Sequence, residues 1–305
     1  KNLAIEAGGT VNITDASTAV NNLAISVSGA GNAITFTNEA DGFTVGSVDG
    51  VTGISTANKT GVTGGATGGI TLSTAAGDIT LTNNVITGNS DTTANGGTSA
   101  QSGSISVTSA GLITGAGQLV IGTATATGPD NATTGDLTLS ATEISADGTN
   151  PLVVSIPVPT GGAVNTQGVL NATATGSGAT GEIKVTSSGR LRIGVLNTTD
   201  ANATTVQVSA TGADNTLEVA SASDLDIDNV TFTADRMVIG STITAATATL
   251  RPDATGRAID LGSTGNAAAA LELSSAELGN FTVTTLTVGR SNAGAITLSA
   301  DVTPS

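Results

Sequence analysis

Gly69-Ile70-Thr71-Leu72-Ser73, followed after Thr74–Gly77 by Asp78-Ile79-Thr80-Leu81-Thr82, puts an aliphatic residue at every second position. A small polar residue sits between each pair. Strict period-two alternation marks a strand with one buried face. The same phrase returns at Gly103-Ser104-Ile105-Ser106-Val107, Gly135-Asp136-Leu137-Thr138-Leu139 and Gly181-Glu182-Ile183-Lys184-Val185. It returns again at Asn215-Thr216-Leu217-Glu218-Val219 and Gly294-Ala295-Ile296-Thr297-Leu298. Strand units recurring about every 20–45 residues are the signature of a solenoid. The expected fold is all-β: a right-handed parallel β-helix, one continuous segment over 1–305 with loop excursions. At roughly 20–25 residues per coil it makes about 12–15 coils.

The 305 residues contain no Cys, His, Trp or Tyr and only four Phe. A globular domain of this length buries many large aromatics, so the core here must be thin and aliphatic. Disorder is excluded because hydrophobic residues make up 38% and charged residues only 11%, the opposite of a disordered composition. Gly and Asn/Asp pairs such as Gly64-Gly65, Gly96-Gly97, Asp147-Gly148 and Gly161-Gly162 mark corners. Ala267–Leu273 has local helix propensity, but Leu271-Glu272-Leu273-Ser274 carries the strand alternation and is read as strand.

Five stretches break the rhythm: Thr87–Gly103, Thr123–Thr134, Ser155–Gly181, Asn197–Asn215 and Arg251–Gly265. They read as loops or extra short strands on one side of the coils, with 155–181 the best place for a kink. Pro129, Pro151, Pro157, Pro159 and Pro252 belong at corners or in these stretches, because proline cannot donate to a ladder.

The net charge is −15, and Lys1 and Lys59 are the only cations before Lys184. Without a basic patch or aromatic platform, nucleic-acid binding is not expected. No run of about 18 apolar residues suggests a transmembrane helix. The absence of His and Cys removes Ser-His-Asp, Cys-His and imidazole–metal chemistry, so no enzyme activity, catalytic residue or cofactor is expected. Asp224-Leu225-Asp226-Ile227-Asp228 is a weak Ca²⁺ candidate through Asp224, Asp226 and Asp228. The plainer reading is a strand with solvated carboxylates. An EF-hand loop does not fit, since Asn229 stands where it needs Gly. Asn-x-Thr sequons at Asn12, Asn58, Asn131, Asn171, Asn197, Asn202, Asn229 and Asn280 are glycosylation candidates. Thr-x-Thr pairs (Thr35/Thr37, Thr80/Thr82, Thr231/Thr233 and others) put hydroxyls on one strand face and raise ice binding as a minor alternative.

Val185–Gly194, Ala258–Gly262 with Leu271–Leu278, and Leu286–Ser291 with Gly294–Leu298 resemble coils of the filamentous-haemagglutinin type. That family comprises large secreted two-partner-secretion exoproteins. The resemblance is good over about the last 170 residues and one of style before them; the family's Asn-rich secretion domain is not in this sequence. It implies an extracellular, cell-surface or secreted fibre segment, an adhesin shaft or surface filament serving attachment or biofilm cohesion, within a longer chain. Implied partners are other copies or neighbouring coils end to end, and a cell-surface glycan or protein receptor. Alternatives are a self-assembling filament or sheath subunit, and a binding module acting through the Thr87–Gly103 and Ser155–Gly181 loops.

Overall fold

The computed structural model describes every residue except 16, 62–64, 93–98, 177–180, 200–204, 222, 225–228, 266–268 and 303–305. Strand accounts for 51% of the chain and helix for 1%, and the large sheets are parallel, so the fold is a parallel β-helix. Two compact units divide the chain, Lys1–Leu170 and Asn171–Ser305. The boundary falls inside the 155–181 stretch.

In the first unit, strands Val11–Ile13, Ile34–Asn38, Ile70–Thr74, Ile105–Ser109 and Leu137–Ala141 lie side by side in parallel. Ile34, Ile70, Ile105 and Leu137 share one register position; Phe36, Leu72, Val107 and Leu139 share another. All eight are at most 1% exposed. The alternation thus becomes vertical columns of apolar side chains, aliphatic except for Phe36, each burial stabilising by about 1.5–3 kcal/mol before the entropy of ordering is charged against it. A second wall stacks Phe43–Val45, Ile79–Leu81, Leu112–Thr114 and Glu143–Ile144. A third stacks Ile54–Ser55, Val85–Ile86, Leu119–Val120 and Leu152–Ser155. Phe36 and Phe43 meet edge to face across the interior, centroids 5.2 Å apart.

The stretches Thr87–Gly103 and Thr123–Thr134, with the start of Ser155–Gly181, carry extra strands that stack on one another. Lys59–Thr60, Ser90–Asp91 and Ala124–Thr125 form one small parallel sheet. Gly65–Ala66, Ala100–Gln101, Asn131–Thr133 and Val164–Thr166 form another. Between them lies a separate small core of Ala100, Ala124, Ala126 and Ala132. This side lobe lengthens each coil. The register steps are 36 residues from Ile34 to Ile70, 35 to Ile105 and 32 to Leu137. The opening step, Val11 to Ile34, is 23 residues, within the expected coil of 20–25; the later coils of this unit are larger, and so fewer, than a count of 12–15 requires.

The second unit keeps the shorter coil for longer. Ile183–Ser187, Thr205–Ala210, Asn229–Ala234, Thr247–Arg251 and Thr285–Val288 stack in parallel, with steps of 23, 24 and 18 residues from Ile183 to Val206, Val230 and Ala248. Ala270–Leu273 is a strand, as the alternation predicts. A single helical turn, Ser275–Leu278, follows it. The Ser274 hydroxyl accepts from the Glu277 N–H while the Glu277 carboxylate accepts from the Ser274 N–H, a capping box written as Ser-x-x-Glu in the sequence. Within the Asn197–Asn215 stretch, Asn197 and Thr198 close the strand Leu191–Thr198 and Thr205–Ala210 is a further strand. The described prolines all lie outside strands. Among the described residues the only antiparallel pair is the hairpin Ser47–Val48 with Val51–Thr52. It turns on Asp49 (φ 49°) and Gly50 (φ 85°), as a two-residue turn of the primed type demands.

Candidate functional surfaces

A polar neck joins the main coils of the first unit to the side lobe. Thr56 and Thr87 stand where the chain leaves for the lobe; Thr67, Ser102 and Thr134 stand where it returns. All five are buried. The Thr56 hydroxyl donates to the Gly68 carbonyl (2.9 Å) and accepts from the Gly88 N–H one coil on (3.0 Å). Thr67 donates to Gly88 O and accepts from Gly103 N. Thr87 donates to Gly103 O and accepts from Gly122 N. Thr134 continues the pattern with Pro157 O and Gly168 N. Each hydroxyl serves as donor and acceptor together, a use open to Ser and Thr. The glycines are required because coils touch there. A Cβ on Gly103 would lie 2.2 Å from the Gly68 carbonyl oxygen, and one on Gly68 would lie 1.7 Å from that of Asn32. The sequence signal was a hydroxyl or amide before Gly, at Thr67-Gly68, Ser102-Gly103, Thr134-Gly135 and Gln167-Gly168. In the sequence such dipeptides are indistinguishable from ordinary turn chemistry.

Corners are tied by side chains in the same way. Asn58 Oδ1 accepts from the Asn89 N–H and Asn89 Oδ1 from the Thr123 N–H, both at 2.8 Å. Asp78 serves Leu112 N, Asn84 serves Gln118 N, and Asp136 serves Val169 N. A shallow groove of about 370 Å³ lies beside these corners, lined by Asn21, Asn22, Asp41, Thr44, Asp78 and Thr80 among others. Its Asp41 and Asp78 each spend one carboxylate oxygen on a backbone N–H.

In the second unit, Glu218 accepts from Arg190 and from Arg192 Nε (3.0 Å). Burial pushes its carboxyl pKa up, and hydrogen bonds and charge from the two guanidinium groups outweigh this, holding it below the ordinary glutamate value. Arg257 bridges Asp214 (2.9 Å) and the buried Asp235 (3.5 Å). These pairs lock neighbouring coils together.

Outward strand positions form columns. In the first unit Thr35, Thr71, Ser106 and Thr138 share one register position, and Thr37, Ser73, Thr108 and Ser140 another. Thr71, Thr108 and Thr138 are exposed and the rest half-buried. Thr37 and Ser73 are hydrogen-bonded through their hydroxyls at 2.8 Å. Uneven spacing along the chain hides this array, because coil length varies while register does not.

The chain matches no family model, no curated protein and no solved structure. Of the Ca²⁺ candidates, Asp226 and Asp228 lie outside the described residues; Asp224 closes the short strand Ser223–Asp224, paired with Thr244. Among the described residues no three acidic side chains converge as a metal site, and no helix is long and apolar enough to cross a membrane. Of the sequons, Asn202 is outside the described residues. Asn12, Asn58, Asn131 and Asn229 are exposed, while Asn171, Asn197 and Asn280 are half-buried. Asn171 accepts from the Val195 N–H and Asn280 donates to the Ile239 carbonyl. The lobe edge carries two exposed aliphatic residues, Val158 (44%) and Val164 (57%).

Proposed function

We propose that this chain is a load-bearing segment of an extracellular fibre, an adhesin shaft or surface filament of the filamentous-haemagglutinin kind, serving attachment or matrix cohesion. What supports this most is the redundancy of ties from coil to coil in the first unit. Ladder hydrogen bonds, corner Asn and Asp side chains and neck hydroxyls all join one coil to the next. Stability in such a stack is local and roughly additive, which suits an object under tension. Single-molecule pulling tests the reading. The first unit should yield coil by coil, each event releasing roughly 110–130 Å of chain for a 32–36-residue coil. Extension at negligible force in one featureless step would refute it.

A second reading rests on Val158 and Val164. Both are exposed aliphatic side chains within the Ser155–Gly181 stretch, where a receptor contact would gain from covering them. Displayed on a non-adherent cell, the chain should then confer attachment that Val158→Ser with Val164→Ser abolishes. Attachment unchanged by both substitutions leaves the shaft alone. The filament-subunit alternative predicts end-to-end polymers of purified chain in electron micrographs.

A further inference from the structure

We infer that Lys184 and Gln207 of the second unit are the reacting pair of a self-catalysed isopeptide bond that ties two successive coils covalently, with Glu182 as its general base. Ile183–Ser187 and Thr205–Ala210 pair in parallel, with Ile183 opposite Val206 and Lys184 opposite Gln207. Ile183, Val185, Val206 and Val208 are buried, so the alternation turns Lys184 and Gln207 to the same outer face. Neighbouring strands lie about 4.8 Å apart. Two long side chains starting from that separation can bring Nζ to the carboxamide carbon with the backbone unmoved.

Three observations single out this pair. Lys184 faces outward yet is only 8% exposed, whereas an outward lysine ordinarily keeps its ammonium in water. Glu182, two residues earlier, forms an ion pair with Lys184 Nζ. The Gln207 carboxamide is half-buried and makes no hydrogen bond among the described residues. The next positions of its column, Thr231, Thr249 and Thr287, bring no competing charge. An amine, a carboxylate and an amide carbon are thus gathered where water is scarce.

Away from water, an ion pair competes with its neutral form. Transfer of one proton from Nζ to the Glu182 carboxylate leaves an amine with a free lone pair, which attacks Gln207 Cδ. The Nζ–Cδ bond forms, Glu182 returns the proton to the departing amide nitrogen, and the Cδ–Nε2 bond breaks. Ammonia leaves and takes up the second proton that Nζ sheds. The ammonium of Lys184 and the carboxamide of Gln207 thereby become one secondary amide and one ammonium ion, with no oxidant or co-reactant. Placement on adjacent strands supplies the proximity that amide exchange lacks between free molecules.

Intact mass spectrometry of the purified full chain, followed by tryptic mapping, tests the bond. The chain should be lighter than its sequence mass by one ammonia, about 17 Da. Trypsin should fail to cut after Lys184 and should release a branched species joining peptides 60–190 and 193–236. Glu182→Gln and, separately, Gln207→Ala should restore the full mass and the cleavage after Lys184, with circular dichroism establishing that each keeps its strand content. A parent chain of full sequence mass overturns the assignment whatever the variants do. Ammonia loss with Lys184 still cleaved also overturns it, since the loss then lies elsewhere in the chain. So does a cross-link that survives in folded Glu182→Gln.

Discussion

Replacing Thr87 by Val swaps a hydroxyl for a methyl of nearly the same shape at a site only 1% exposed. Packing is retained, so the experiment isolates the polar neck. The substitution strands two buried groups, the Gly122 N–H (2.9 Å from the hydroxyl) and the Gly103 carbonyl (3.1 Å). An unsatisfied buried donor or acceptor costs about 1–3 kcal/mol, so stranding two of them in Thr87→Val should lose about 2–6 kcal/mol. Thr87→Ser keeps both bonds and should lose only about 1 kcal/mol, for one methyl. Thr123→Val, at an exposed corner, should stay within about 0.5 kcal/mol of the parent. Because a stacked protein opens locally, hydrogen exchange by mass spectrometry is the fitting assay. Amides around Gly103 and Gly122 should exchange at least about 30-fold faster in Thr87→Val, since about 1.4 kcal/mol is tenfold. Parent-like exchange and an unshifted denaturation midpoint for Thr87→Val would refute the claim that neck hydroxyls join the coils.

Gly103→Ala should be strongly destabilising in thermal melts, because its Cβ meets the Gly68 backbone at 2.2 Å, whereas Gly189→Ala, with nothing within 4 Å, should be neutral or slightly stabilising. Glu218 gives a pH dependence of known sign. Its folded pKa is depressed, so its contribution is present above the unfolded value, about 4.3, and fades as pH falls through the lower folded value. Stability measured from pH 6 downward should show a loss in the parent that is smaller in Glu218→Gln. Expressed in a host that glycosylates Asn-x-Thr, the chain should carry glycan at Asn12 and Asn131 before Asn171 and Asn280, whose side chains hold other coils; site-resolved mass spectrometry checks the order.

Much of the fold was legible because alternation is a local property. Ile70-Thr71-Leu72 and Leu137-Thr138-Leu139 declare their buried faces without reference to anything distant, whereas the helical turn Ser275–Leu278 went unread behind the strand alternation of Leu271–Ser274. The side lobe was legible only as a break in rhythm. Its strands are two or three residues long and its core is built from Ala, so Ala100 and Ala132 carry no visible pattern. The neck was illegible for a different reason. Thr67 and Thr87 look like any outward Thr, and their burial follows from partners 16 to 36 residues away.

The sequence by itself determined a parallel stack of β-coils with an aliphatic interior, since period-two hydrophobicity and Gly/Asn corners leave few other ways to bury so little aromatic mass. Tertiary structure alone decided which outward residues align. Register is fixed by the coil as a whole, so insertions into the lobe change the distance along the chain between Thr35, Thr71 and Thr138 without moving them out of their column.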